Sequence, residues 1–218
     1  MLLAIDTATR FSGIALYDAR GVHTEHLWRT RDNHTVELMQ YIVRTCEQQG
    51  VAPSALQAVG VSLGPGSFTG LRVGLSIAKG LAHALDVPLL GIPTLDIAAY
   101  PHSRQALPVC AVLPAGRGRW CAALYQTIDG VWQRCSAYLL SDAAGVCALL
   151  ERPTLVCGEF DHSLADALQE GAPEQAIVAS PATATRRAGC LAELAWRRLS
   201  AGERDDLSTL SPIYLQHA

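Results

Sequence analysis

The chain contains a single lysine, Lys79, beside 16 arginines, and only 17% of its 218 residues are charged. Globular chains usually carry about 25% charged residues, so a sparse charged surface must enclose a large apolar interior. No apolar run approaches the roughly 18 residues of a membrane span, and no membrane association is expected. The first residues, Met1-Leu2-Leu3-Ala4-Ile5-Asp6, lack a basic segment and reach a carboxylate at once, which does not read as a signal peptide. The seven cysteines form no Cys-x-x-Cys and are odd in number, so neither a disulfide framework nor a zinc site is expected and a cytoplasmic setting is. The seven histidines contain no His-x-x-x-His, and His23 and His26 fall on opposite faces of a predicted strand, so no metal ligation is expected. A net charge of −3 supplies no long-range attraction to phosphates, and Arg186-Arg187 and Arg197-Arg198 read as solvated helix faces. Hydrophobic residues at 50% exclude disorder.

What is present is a regular alternation of strand and helix. Strands are predicted over 2–6, 12–17 and 22–29, joined by short turns as a meander. Asn33 is placed to cap a helix running to about residue 49, with Val36, Met39, Val43 and Cys46 at helical spacing, flanked by Leu38 and Ile42. A buried strand over 58–63, a Gly-rich loop over 64–70, a helix over 71–85, a strand over 88–92 and a short helix from Thr94 follow. The second half repeats that order. It has strands over 108–113, 120–126 and 131–139, a helix over 142–151, a strand over 154–157, a helix over 161–169, a strand over 176–179 and a long helix over 184–200. Two α/β lobes, 1–100 and 108–218, joined near residues 100–107, are the simplest reading.

The loop Gly64-Pro65-Gly66-Ser67-Phe68-Thr69-Gly70 joins a strand to a helix, a geometry able to present backbone N–H groups to an anion. Yet it matches neither Walker A, nor Gly-x-Gly-x-x-Gly, nor Gly-x-Ser-x-Gly, and these failures favour a structural turn. Asp6, followed by Thr7-Ala8-Thr9, reads either as an Asx turn or as a magnesium–phosphate ligand, the turn being favoured. In the helix after the loop, Gly70, Gly74, Ala78 and Ala82 form one stripe almost without side chains. Gly costs about 1 kcal/mol against Ala inside a helix, so the stripe calls for a close neighbour. Packing within the lobe and an intermolecular helix seam both satisfy that demand, with Leu71, Leu75 and Leu85 available for the core from another face.

Leu3-Ala4-Ile5-Asp6-Thr7, Asn33-His34-Thr35 and Gly64-Pro65-Gly66-Ser67-Phe68-Thr69-Gly70-Leu71-Arg72-Val73-Gly74, with Ala78-Lys79-Gly80, resemble the TsaB (YeaZ) family of tRNA threonylcarbamoyladenosine biosynthesis. The resemblance is dense over residues 2–100 and thin beyond, returning at Pro212-Ile213-Tyr214-Leu215. It implies a duplicated actin-like (ASKHA, ribonuclease H-like) α/β fold with two lobes and mixed sheets. It also implies a non-catalytic scaffold or activator that docks onto the catalytic paralogue TsaD, with the TsaE ATPase completing the assembly and a homodimer forming when the chain is alone. On this reading tRNA is reached only through the complex, and no catalytic or metal-binding residue is expected. The implied interface carries His34, Thr35, Leu38, Gly70, Leu71, Gly74 and Ala78, which tips the stripe toward an intermolecular seam. The chain needs no cofactor of its own on this reading. ATP or ADP with magnesium at a shared interface would engage Asp6, Thr7, Gly64, Gly66 and Ser67, the residues an ASKHA-type ATPase or kinase, the alternative function, would also use. The sequence departs from the family at Pro114–Cys121, where the family's Asp-Ala-Arg-Arg-Gly-Glu-Val-Tyr is lost, at Thr35 in place of Ser, and at Gln216 where Arg is common.

Overall fold

A computed structural model describes residues 1–30 and 34–215, in side-chain detail from residue 37 within the second segment. The chain divides into two compact units. The first comprises Met1–Thr94 with Arg187–Ile213, and the second Leu95–Arg186 with the C-terminal residues from Tyr214.

In the first unit, β1 (Leu2–Asp6), β2 (Phe11–Asp18) and β3 (Gly21–Arg29) form the antiparallel meander, and β4 (Ala58–Gly64) and β5 (Leu89–Pro93) extend it in parallel, giving the order β3-β2-β1-β4-β5. β1 and β4 are buried along their whole lengths, so both sheet faces are apolar and each needs a helical cover. On one face Leu3, Ile5, Ile14, Leu16, Val59 and Val61 meet α1 (His34–Gln48) and α2 (Phe68–Leu85). On the other, α6 (Ala188–Ser200) packs against all five strands. The approach is close there: a Cβ on Gly60 would lie 2.9 Å from Cβ of Ala195.

α6 therefore corrects the expected division at 1–100 and 108–218. The helix stands last in the chain but belongs to the first unit, because a sheet buried on both faces cannot be closed by α1 and α2 alone. Glu25 of β3 anchors its start: Oε1 accepts the Gly189 N–H at 2.9 Å, and the carboxylate pairs with Arg187, supplying the cap that the Arg187 side chain does not.

The second unit has the order β11-β10-β6-β7-β8, built from β6 (Val109–Gly116), β7 (Arg119–Ile128), β8 (Val131–Arg134), β10 (Thr154–Gly158) and β11 (Ala176–Val178), with β9 (Leu139–Ser141) pairing separately with β7. α4 (Ala143–Ala148) and α5 (His162–Gly171) cover one face, while α3 (Thr94–Ala99) supplies Leu95, Ala98 and Ala99 to the other. The single strand expected over 131–139 is two strands, since Cys135 donates its N–H to Leu124 and the chain then turns away through Ser136. Cys46, Cys110, Cys121 and Cys157 are buried, and burial pushes the Cys110 thiol up to about 12 and that of Cys121 to about 11. They act as small apolar side chains. Among the described residues no helix is long and apolar enough to cross a membrane.

After α6 the chain returns along the first sheet. Asp205 donates its N–H to Leu89 at 2.9 Å and accepts the Gly91 N–H at 2.6 Å, while Arg198 holds the same carboxylate at 2.9 and 3.0 Å. Burial opposes ionisation of Asp205, but the Arg198 guanidinium and the Gly91 amide outweigh it and keep the carboxyl below its usual range. The unfolded chain thus binds this proton more readily than the folded one. The clamp's contribution is present above the ordinary carboxylate pKa of about 3.9 and is lost as pH falls through the lower folded value. Thermal melts between about pH 5 and pH 2 should show Asp205→Asn losing less stability on acidification than the wild type; parallel acid limbs would contradict this.

Candidate functional site

The Gly-rich loop and the β1–β2 turn form one unit, joined by hydrogen bonds to backbone carbonyls. Ser67 donates its N–H to the Ala8 carbonyl at 2.6 Å, and the Thr7 hydroxyl donates to the Gly70 carbonyl at 2.7 Å. A Cβ on Gly66 would collide with the Ala8 carbonyl, one on Gly70 with that of Thr7, and one on Gly74 with the Thr7 hydroxyl. The glycines let α2 lie directly on this turn. Ser67 caps α2, its hydroxyl accepting the Gly70 N–H at 3.2 Å, so the helix starts at Phe68 and not at Leu71 as expected. Gly64 donates to the Thr94 hydroxyl at 2.9 Å. The N–H groups of Gly64, Ser67 and Gly70 are thus all engaged by the chain itself. Asp6 makes the Asx turn, its Oδ1 accepting the Ala8 N–H at 3.0 Å. Asp6 and Thr7 are buried with Ser62, whose hydroxyl accepts the Thr7 N–H at 3.4 Å.

This geometry overturns the reading of the small-residue stripe as an open seam. Gly70 and Gly74 are buried against Thr7, and Leu71 and Ala78 are fully buried, as is Leu38 of α1. None of these five offers side-chain surface to a partner. The close neighbour that the stripe demanded is this chain's own turn. The side chains of His34 and Thr35 lie outside the described residues.

The exposed apolar surface lies elsewhere. Met39, Val43 and Cys46 were grouped by their spacing as one face, but Leu38, Ile42 and Cys46 enter the core while Met39 and Val43 stay 36% and 48% exposed. α1 lies against α2, and at the start of α2 Phe68 is 55% exposed with the Arg72 guanidinium 3.7 Å above its ring. Further along α2, a Cβ on Gly80 would meet nothing within 4 Å. The signal for this surface was present as two interleaved apolar rows on α1, more than one face needs. Among the described residues no three His, Cys, Asp or Glu side chains gather as metal ligands would. His23 pairs with Asp18 at 2.8 Å, and His26 packs beside Tyr41.

Residues 21–149 match the TsaD family, tRNA N6-adenosine threonylcarbamoyltransferase. The chain is 28% identical, over 100% of its own length and 94% of the other, to the tRNA threonylcarbamoyladenosine biosynthesis protein TsaB of Bacillus subtilis. It is 34% identical to the protein of the same name from Escherichia coli, over 60% of this chain and 58% of that one. YeaZ from Pseudomonas aeruginosa superposes with a TM-score of 0.80 at 25% identity, covering 98% of this chain and 99% of that one. The chain belongs to the TsaB (YeaZ) family. Its α/β architecture, two mixed sheets each followed by helices in the same order, is the duplicated actin-like fold of that family. In this TsaB-family chain the most characteristic run, Gly64–Gly74, is internal masonry between loop, turn and helix.

Two glycines of α2 separate the buried side from the open one. Gly74→Ala should destabilise the protein by about 1–3 kcal/mol, because Thr7 must give way and lose its bond to Gly70. Gly80→Ala should stabilise it by up to about 1 kcal/mol through helix propensity alone. Denaturant melts of the two variants check this, and equal effects would refute the assignment.

Proposed function

We propose that this chain is a non-catalytic scaffold in the complex that forms N6-threonylcarbamoyladenosine in tRNA, docking onto the catalytic paralogue TsaD through the outward sides of α1 and α2. The observation that carries the reading is the apolar row of Met39 and Val43, one turn apart on α1 and beside α2. Scattered exposed apolar residues are ordinary, but two on one row of a helix that lies against a second helix, itself open at Gly80, offer a partner more than a single side chain. The names borne by the Bacillus subtilis and Escherichia coli relatives support the pathway.

The mechanism is a shift of population. A scaffold that binds the competent conformation of its partner better than the incompetent one raises the fraction that is active, by no more than that difference in affinity. The Gly64–Gly74 packing keeps α2 rigid on the sheet, so contacts made on its outer side are not spent on ordering it. TsaE joins as the ATPase of the assembly, any shared ATP or ADP with magnesium lies at an interface, and a second copy of this chain takes TsaD's place when TsaD is absent.

Met39→Asp combined with Val43→Asp should abolish co-purification with TsaD and threonylcarbamoylation of tRNA in the reconstituted system, while the circular dichroism spectrum of the isolated chain stays that of a folded protein and its melting temperature no longer rises with protein concentration. Undiminished co-purification would sink the docking surface.

A further inference from the structure

The opposite flank of α1 carries different chemistry. Trp28 and Arg29 at the end of β3, with Glu37, Gln40, Tyr41 and Arg44 of α1, line an open groove of about 250 Å³. Trp28 and Tyr41 stack with ring centroids 4.0 Å apart and 19° between planes, which fixes the floor. Arg29 and Arg44 are exposed at the rim and make no ion pair among the described residues. Among the described residues of the lining the one carboxylate is Glu37, which accepts the Thr30 hydroxyl at 2.7 Å. Two guanidinium groups against one hydrogen-bonded carboxylate make the described lining net positive on a chain of net charge −3. Hydrogen-bonding capacity is also left over beneath the lining: the Trp28 indole N–H is buried without a partner, and so is the hydroxyl of Ser12, which stands opposite Trp28 in the β2–β3 register and is 1% exposed.

We infer that this groove binds a phosphoryl group of a nucleotide unit, held between Arg29 and Arg44 over the Trp28–Tyr41 stack. Planar guanidinium forks match phosphate oxygens, and cations beside aromatic rings are the usual pairing where a nucleic-acid strand is tracked without reading its bases. The groove is open to solvent and pairs two cations with stacked aromatic rings, as sites that track a strand do, so the source argued for is an RNA backbone, with a free mononucleotide as the competing source. The RNA source rests on the tRNA-modification reading above; the phosphoryl site itself does not. Because Met39 and Val43 lie on the other flank of α1, the groove stays open when a protein partner covers that row. Two phosphate contacts on an acidic chain give weak binding at physiological salt, so the test belongs at low salt.

The chain has four tryptophans, and Trp28→Phe identifies the Trp28 indole N–H resonance among them. The full-length chain is titrated with inorganic phosphate, with adenosine monophosphate and with a short single-stranded oligoribonucleotide, each against sodium chloride at matched ionic strength. The expected result is a saturable shift of the Trp28 signal with the phosphoryl-bearing probes. Arg29→Gln with Arg44→Gln should remove it while the other three indole signals stay in place. For the oligoribonucleotide, the double substitution should lower the slope of log affinity against log salt by about 1.4, two contacts of roughly 0.7 each. No Trp28 shift, or a shift retained in the double variant, overturns the site. A shift with adenosine monophosphate but none with the oligoribonucleotide keeps the phosphoryl site and overturns the RNA source. Since the titration uses the isolated chain, its outcome is independent of whether the chain docks onto TsaD.

Discussion

The contact between Thr7 and the first two turns of α2 sets the geometry of everything around it. The Thr7 hydroxyl reaches the Gly70 carbonyl at 2.7 Å, and it can do so because neither Gly70 nor Gly74 carries a Cβ. That approach draws α2 onto the β1–β2 turn, brings Ser67 under the Ala8 carbonyl, and fixes which side of the helix is left facing outward. A helix held this way has one side buried by backbone contact and the other free, with little latitude to roll. The exposed residues Phe68, Arg72 and Gly80 therefore owe their position to glycines on the other side.

The same economy of side chains appears on the far face of the first sheet. Gly13 and Gly60 let α6 approach through Ala188 and Ala195, so a helix from the end of the chain is pressed onto strands from its beginning. Glu25 caps that helix and Arg198 ties its last turn to Asp205 and Gly91. The first unit is thereby closed by interactions spanning most of the sequence. The sheet is thereby covered on both sides, α1 and α2 on one and α6 on the other, which holds the outward sides of α1 and α2 in fixed positions.

Most of the element order was legible, because the chain switches cleanly between strand and helix periods and punctuates the changes with Gly, Pro and capping Ser or Asp. The assignment of α6 was not legible. Leu191, Ala192 and Ala195 announce a buried face without stating which sheet buries it, and the continuity of β1 and β4 as apolar runs was the only hint that the first sheet needed a second cover. The stripe Gly70-Gly74-Ala78 was visible, but its spacing is equally suited to a foreign helix and to a native turn; only the position of Thr7 decides. On α1 the apolar residues outnumber those one face can bury, and spacing alone grouped Met39 and Val43 with Cys46. The groove beside Trp28 had no sequence signature at all, since Arg29 and Arg44 meet only through the packing of β3 on α1.

The central claim is that α2 spends its glycine-lined side on its own fold and that the partner is met on the outer row of α1. Met39 makes a direct reporter, as the chain has only two methionines and the other is Met1. Hydroxyl-radical footprinting of the dilute chain, alone and in complex with TsaD, reads the accessibility of that one side chain by mass spectrometry. The account predicts ready oxidation of Met39 in the free chain and strong protection in the complex. Equal oxidation in the two states would contradict it.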